Sequence, residues 1–291
     1  VSDNHWPAKR RVTLVGAVIN LLLSVGKIVG GIVGQSQALI ADGVHSLSDL
    51  LSDALVLFAS RWGSLEADHN HPYGHERIET LATLGVGLLL LAVGAGFLID
   101  SVGRLLNPER LWTPGWLAFG IAVLSVLTKE GLYHYTVRVA RQTGSSLLRA
   151  NAWHHRSDAF SSVVVIIGIG GALAGLLWLD AVAAAIVGVM LGWVGWRLLG
   201  EAATELVDTG LSGRELDALA ETIDAVDGVR GHGRLRSRRM GGRIFVDVRV
   251  LVDGQLTVRE GHKIAEQVRL RVIDQLPGNA DVVVCLRAPS K

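Results

Sequence analysis

Six stretches of about 20 or more mostly apolar residues, at 11–33, 38–60, 80–103, 114–137, 148–177 and 180–204, constrain this chain more than any other feature. A helix needs ~20 such residues to cross the hydrocarbon of a bilayer. In lipid the backbone must satisfy its own hydrogen bonds, so these runs are expected as helices. The first run is too long for a cleaved signal peptide, and no small-residue cleavage pattern follows it. Glycines such as Gly85, Gly87, Gly94 and Gly96 fall inside the runs, where small residues let helix backbones approach closely. Trp62, Trp112, Trp116 and Trp178 fall near the expected ends, as an interfacial belt requires.

Charge density divides the chain after Asp208. Residues 1–208 hold 14 Lys/Arg and 16 Asp/Glu, whereas the last 83 residues alone hold 14 and 11. A charge-poor part followed by one of ordinary polarity predicts a membrane domain and then a water-exposed one. The expected organisation is an N-terminal tail at 1–10, a six-helix membrane domain at 11–208 and a separate domain at 209–291. The net charge of +1 and mean hydropathy of +0.38 argue against a nucleic-acid binder and a disordered chain. A single Cys285 excludes an internal disulfide. With six spans both termini share one side. That side would carry Lys9, Arg10, Arg11, Arg61, Arg77, Arg138, Arg141 and Arg149, against Arg104 and Arg110 opposite, which predicts cytoplasmic termini.

Ionisable residues inside apolar spans cost about 2.5–3.5 kcal/mol each on insertion scales and mark function. The second span contains Asp42, His45, Asp49 and Asp53, whose spacings of three, four and four residues place them along one helical face. The fifth contains His154 and Asp158, again four apart. If these helices pack face to face, two imidazoles and two carboxylates converge, a set that suits a tetrahedral ion of the zinc type. Either pair alone could equally be a structural network, with a carboxylate held by Lys129; two matched pairs favour a metal or proton site. Asp42, Asp53 and His155 are placed on an access path or around the ligands, and Lys129 with Glu130 in a buried charge network. The loop after the second span gathers Asp68, His69, His71, His75 and Glu76 within nine residues. Asp68, His71 and His75 have the reach to hold one ion, and the alternative is a solvated polar loop. No His-Glu-x-x-His or Gly-x-Ser-x-Gly pattern is present, so an enzyme is not expected.

These motifs resemble the cation diffusion facilitator family of divalent-metal transporters. The resemblance spans nearly the whole chain: Ser36-x-Ala38-Leu39-Ile40-Ala41-Asp42-Gly43-x-His45-Ser46-x-x-Asp49, then Asp68-x-x-His71-x-x-Gly74-His75-Glu76-Arg77-x-Glu79, then His154-x-x-Ser157-Asp158. It implies a homodimer in a bacterial inner membrane that exports metal in exchange for protons by alternating access. The family's transport site falls on His45, Asp49, His154 and Asp158, and its loop site on Asp68, His71 and His75. His45 stands where many members have Asp, a composition associated with zinc, so Zn2+ is the expected cargo ahead of Fe2+, Co2+, Cd2+ or Mn2+. Arg77 and Asp208 fall where members place a charge interlock near the dimer interface.

The last domain reads as helix 212–226, strand 229–239, strand 243–252, helix 257–275 and strand 280–287. This αββαβ order resembles the family's ferredoxin-like, metallochaperone-like domain. Positions where metal-binding members carry His hold Arg249 and the stretch Cys285–Arg287 here, so the expectation is no metal there or a weakened site of His232, His262 and Cys285. Arg234, Arg236, Arg238, Arg239 and Arg243 read as a solvated strand face or a pairing surface between subunits. A membrane-embedded sensor or scaffold that binds metal without moving it is the alternative to transport.

Overall fold

The structure, a computed structural model, describes residues 6–63, 65, 68–143, 145–241, 243–276 and 280–288. Within the helices, the side chains of residues 6–10, 53, 56, 57, 59, 60, 63, 146, 147, 150 and 154 lie outside that description, and with them the expected roles of Asp53 and His154.

Among the described residues six long helices come first: α1 (Trp6–Val33), α2 (Gln37–Gly63), α3 (Arg77–Leu106), α4 (Trp116–Thr143), α5 (Ser146–Leu173) and α6 (Trp178–Leu206). All but α2 are long and apolar enough over the described residues to cross a membrane. α2 has the length, but Asp42, His45, Asp49 and Asp53 dilute its apolar run. Most of the helices run past the expected span ends, since hydropathy marks the lipid-buried part and backbone bonding continues beyond it. Large apolar side chains such as Leu22, Ile99, Leu127 and Trp193 point outward, the opposite of a water-soluble bundle.

Contact density divides the chain into two compact units: residues 1–54 with 86–197, and residues 55–85 with 198–291. In the first, α4 packs along α5 and α1 packs on α4. α3 and α6 approach so closely that a Cβ on Gly94 would lie 2.6 Å from the Gly188 carbonyl oxygen. Glycine there is a packing requirement. The start of α2 is fixed by two side chains. Ser36 Oγ accepts from the Leu39 amide at 3.1 Å, and Asp180 of α6 accepts from Ser36 Oγ at 2.6 Å and from the Gln37 amide at 2.8 Å. The otherwise orphaned N–H groups of this buried helix end thus find partners.

The second unit contains α7 (Gly213–Asp224), β1 (Gly231–Met240), β2 (Arg243–Leu251), α8 (Val258–Gln275) and β3 (Ala280–Arg287). The αββαβ order matches the expectation. Ser212 and Glu215, and Thr257 and Glu260, form reciprocal capping boxes that start α7 and α8. β2 is central, antiparallel to β1 and parallel to β3. Its Ile244, Val246, Val248 and Val250 are buried against Leu219, Ile223, Val268 and Val272 of the two helices. Phe245, on the other face, is also buried, with the Arg238 guanidinium 5.3 Å from its ring centre.

Candidate metal sites

Helical periodicity sets Asp42, His45, Ser46 and Asp49 on one side of α2, and the structure packs that side against α5. Ser161 and Ser162 of α5 donate their hydroxyls to Asp42, at 3.0 and 2.7 Å. Asp42, His45 and Asp158 are buried, and Asp49 is half-buried, its Oδ2 3.9 Å from His45 Nε2.

Two lysines complete this core. Lys27 of α1 is fully buried, and its ammonium lies 2.7 Å from Asp42 Oδ2. It also donates to Ser46 Oγ at 3.2 Å and to Ser162 Oγ at 3.0 Å. Lys129 of α4, buried as deeply, lies 3.4 Å from Asp158 Oδ2 and donates to Ser46 Oγ at 3.3 Å. Ser46, one residue after His45, therefore accepts from both ammonium groups. Compensation of this kind is what buried carboxylates need.

Among the described residues, His45, Asp49 and Asp158 form no cluster of converging ligand atoms, Asp158 lies against Lys129, and the fourth expected ligand, His154, falls outside the described side chains. Asp42, expected on an access path or around the ligands, is held by Lys27, Ser161 and Ser162. Glu130, expected in a buried network with Lys129, is partly exposed and faces outward, 3.3 Å from His134 and 3.9 Å from Arg156. Adjacent residues on a helix diverge by ~100°, so only one of the two can face the core. His155 is buried, and a Cβ on Gly16 of α1 would lie 3.5 Å from its Nε2.

Lys27 and the serine pair Ser161 and Ser162 escaped the sequence reading. The signal for Lys27 was available: a lysine in the middle of the first apolar run is as anomalous there as Asp42 is in the second.

The loop cluster belongs to the second unit. Pro72 and Tyr73 form the corner of a tight turn closed by a bond from the Gly74 amide to the His71 carbonyl, at 3.0 Å. Gly74 takes a φ of +89°, a conformation glycine adopts without strain. Asp68 Oδ1 accepts from the amides of Asn70 and His71, at 2.8 and 2.6 Å. His71 Nδ1 lies 3.1 Å from Asp68 Oδ1, His75 Nε2 lies 3.4 Å from Asp68 Oδ2, and the two rings sit 4.3 Å apart. One ligand atom from each of Asp68, His71 and His75 falls within 4.8 Å of the others. The His71 backbone N–H is the main reason the Asp68 carboxyl is held below its ordinary range, which keeps it in the anionic form a metal requires.

The following segment is tied to the last domain. Glu76 pairs with Arg243 at 3.2 Å, Arg77 with Asp208 at 2.8 Å, and Thr80 donates to Glu205 at 2.6 Å. The Arg77–Asp208 pair lies within a single chain, with Asp208 in the left-handed region at φ +58°.

Residues 13–207 match the cation efflux transmembrane domain, and residues 211–285 match the cytoplasmic domain of cation efflux proteins. The chain belongs to the cation efflux, or cation diffusion facilitator, family. It is a family of multi-pass membrane transporters and not of enzymes. The chain is 35% identical over 288 residues to metal tolerance protein C1 of Arabidopsis thaliana, with 94% of this chain and 61% of that protein covered. This chain therefore spans under two thirds of that relative's length. It is 29% identical over 282 residues to the manganese efflux system protein MneP of Bacillus subtilis, covering 94% of both chains. Among solved structures, the MamM CTD in its copper form is 30% identical and covers 26% of this chain and 85% of that one, with a TM-score of 0.25.

In the last domain of this cation efflux chain the expectation is no metal or a weak site of His232, His262 and Cys285. His232 Nδ1 is held by Asp224 at 2.9 Å, His262 is exposed on α8, and Cys285 is exposed on β3 opposite Arg249. Among the described residues these three do not converge. Four arginines of the run are engaged within the chain: Arg236 with Asp247, Arg239 with Glu215, Arg243 with Glu76, and Arg238 over Tyr73 and Phe245.

Proposed function

We propose that this chain exports a divalent transition metal from the cytoplasm in exchange for protons, working by alternating access as a homodimer with cytoplasmic termini in a plasma membrane. The observation that carries the reading is the packing of the Asp42–His45–Asp49 face of α2 on the Asp158–Ser161–Ser162 face of α5 inside an apolar bundle. Carboxylates and imidazoles are costly in lipid, and a matched cluster of them marks a path for a cation or proton.

His45, Asp49, His154 and Asp158 are the transport ligands. Imidazole must be neutral and carboxylate ionised to hold a dication, so each metal bound displaces protons and each proton gained weakens the metal. Opening to an acidic exterior expels the ion, and the protonated site returns inward. Asp68, His71 and His75 form a second, water-exposed site for an incoming ion.

The cargo is a divalent first-row metal. A mixed nitrogen and oxygen donor set accommodates Zn2+, Fe2+ and Mn2+. Two relatives in Bacillus subtilis are named as manganese efflux proteins, so Mn2+ takes the lead over the Zn2+ expected from the ligands alone. Competition among Mn2+, Zn2+, Fe2+, Co2+ and Cd2+ on purified protein in vesicles tests this. Mn2+ should suppress flux of the others at the lowest concentration. Zn2+ doing so would return the zinc assignment, and saturable binding without flux would make the chain a sensor or scaffold.

A further inference from the structure

The two buried ammonium groups are held very differently. Lys27 has three donors and three close acceptors: Asp42 at 2.7 Å, Ser162 at 3.0 Å and Ser46 at 3.2 Å. Asp42 in turn accepts from Lys27 and Ser162, with the Ser161 hydroxyl shared between Asp42 at 3.0 Å and the Asp158 carbonyl at 2.8 Å. A charge-assisted pair at 2.7 Å with all partners supplied is a strong, fixed contact that ties α1, α2 and α5 together. Lys129 meets Asp158 at 3.4 Å and Ser46 at 3.3 Å, both at the long end for a hydrogen bond. Lys27 is a rivet, whereas Lys129 is a loose contact on one of the proposed transport ligands.

We infer that the Lys129 ammonium is an internal stand-in cation for the empty transport site. With no metal bound it neutralises Asp158, so this carboxylate stays compensated during the return while the other ligands carry the protons. An arriving dication takes Asp158 from it, and the ammonium falls back on Ser46, still charged and close to the ion. The repulsion that follows lowers metal affinity and favours release on the far side. Lys129 therefore sets the affinity of a site to which it contributes no ligand atom. The inference rests on the assignment of Asp158 to the transport site.

The decisive readout is metal affinity, because ordinary damage to a site weakens binding, whereas removal of a competing cation tightens it. Mn2+ and Zn2+ binding would be titrated on the purified full chain in nanodiscs for wild type, Lys129→Gln, Lys129→Met, Lys129→Arg and Asp158→Asn, with flux measured in parallel. Asp158→Asn identifies the component of binding that belongs to the transport site. Lys129→Gln and Lys129→Met should tighten that component at least ~10-fold, about 1.4 kcal/mol, while maximal turnover falls. Lys129→Arg should stay near wild type.

Unchanged or weaker binding in the neutral variants would overturn the inference. So would failure of both neutral variants to assemble while Lys129→Arg assembles, since the ammonium would then serve the fold. If Asp158→Asn binds and transports as wild type does, the transport-site assignment itself fails, a result distinct from either.

Discussion

The buried core and the exposed loop use the same donor types in opposite ways. In the loop, Asp68, His71 and His75 converge within 4.8 Å without any ammonium among them, because water and two backbone amides already stabilise the carboxylate. In the core, Asp42 is matched with Lys27 and Asp158 with Lys129, and among the described residues His45, Asp49 and Asp158 do not converge. Where water reaches, donors can be preassembled for a metal. Where it does not, an unpartnered carboxylate is too costly, so neutralisation comes first and assembly must await the ion.

The largest effect should come from the core ligands. Even groups that only support a metal ligand cost ~10–100-fold when removed, so Asp158→Ala should lower metal flux by at least ~100-fold. Vesicle flux at matched protein density checks this, and a loss of only a few-fold would break the contrast.

Next comes the rivet. Breaking one side of a buried pair costs about 3–5 kcal/mol, so Lys27→Met should unfold far earlier in detergent than wild type. Lys27→Met with Asp42→Leu should recover most of that loss, because no charge is then stranded. Equal instability of the single and double variants would mean that packing, not charge, is what Lys27 supplies.

Removing the loop donors together, as His71→Ala with His75→Ala, should delete one bound metal equivalent by equilibrium dialysis and reduce flux only a few-fold. Flux loss as complete as with Asp158→Ala would erase the distinction between the two regions.

The smallest effect sits in the last domain, where Ser212→Ala removes one half of the α7 capping box at a cost of ~1 kcal/mol, read as faster hydrogen exchange in α7. The Ser212 hydroxyl and then its amide hold the Glu215 carboxyl below its ordinary 4.5. A depressed folded value stabilises above the unfolded pKa, and the benefit is lost as pH falls through the folded value. α7 protection in the full chain should therefore hold steady above pH 4.5 and decline below it. Ser212→Ala should flatten that decline.

Much of the architecture was legible because periodicity carries it. Asp42, His45 and Asp49 recur at helical spacing, and Ile244, Val246, Val248 and Val250 alternate as a half-buried strand does, so their faces follow from position alone. The loop cluster was legible because its ligands lie within eight residues, closed by the Pro72–Tyr73 turn. What could not be read was partnership across helices. Lys27 is 15 residues from Asp42 and 135 from Ser162, and no spacing rule joins them. The divergence of Lys129 and Glu130 followed from helix geometry, but the inward member depends on how α4 is rotated against α5. Arg77 and Asp208, 131 residues apart, are joined by no spacing rule either, and only the family resemblance brought them together.

The central claim is that transport chemistry sits in the buried core and not in the exposed loop. Vesicles with an acidic interior, a metal-sensitive dye inside and Mn2+ outside compare wild type, Asp49→Ala and the loop pair His71→Ala with His75→Ala in one assay. The account predicts wild-type uptake that collapses when the pH gradient is dissipated, no uptake with Asp49→Ala, and gradient-dependent uptake that survives in the loop variant. Uptake by Asp49→Ala, with loss in the loop variant, would contradict it.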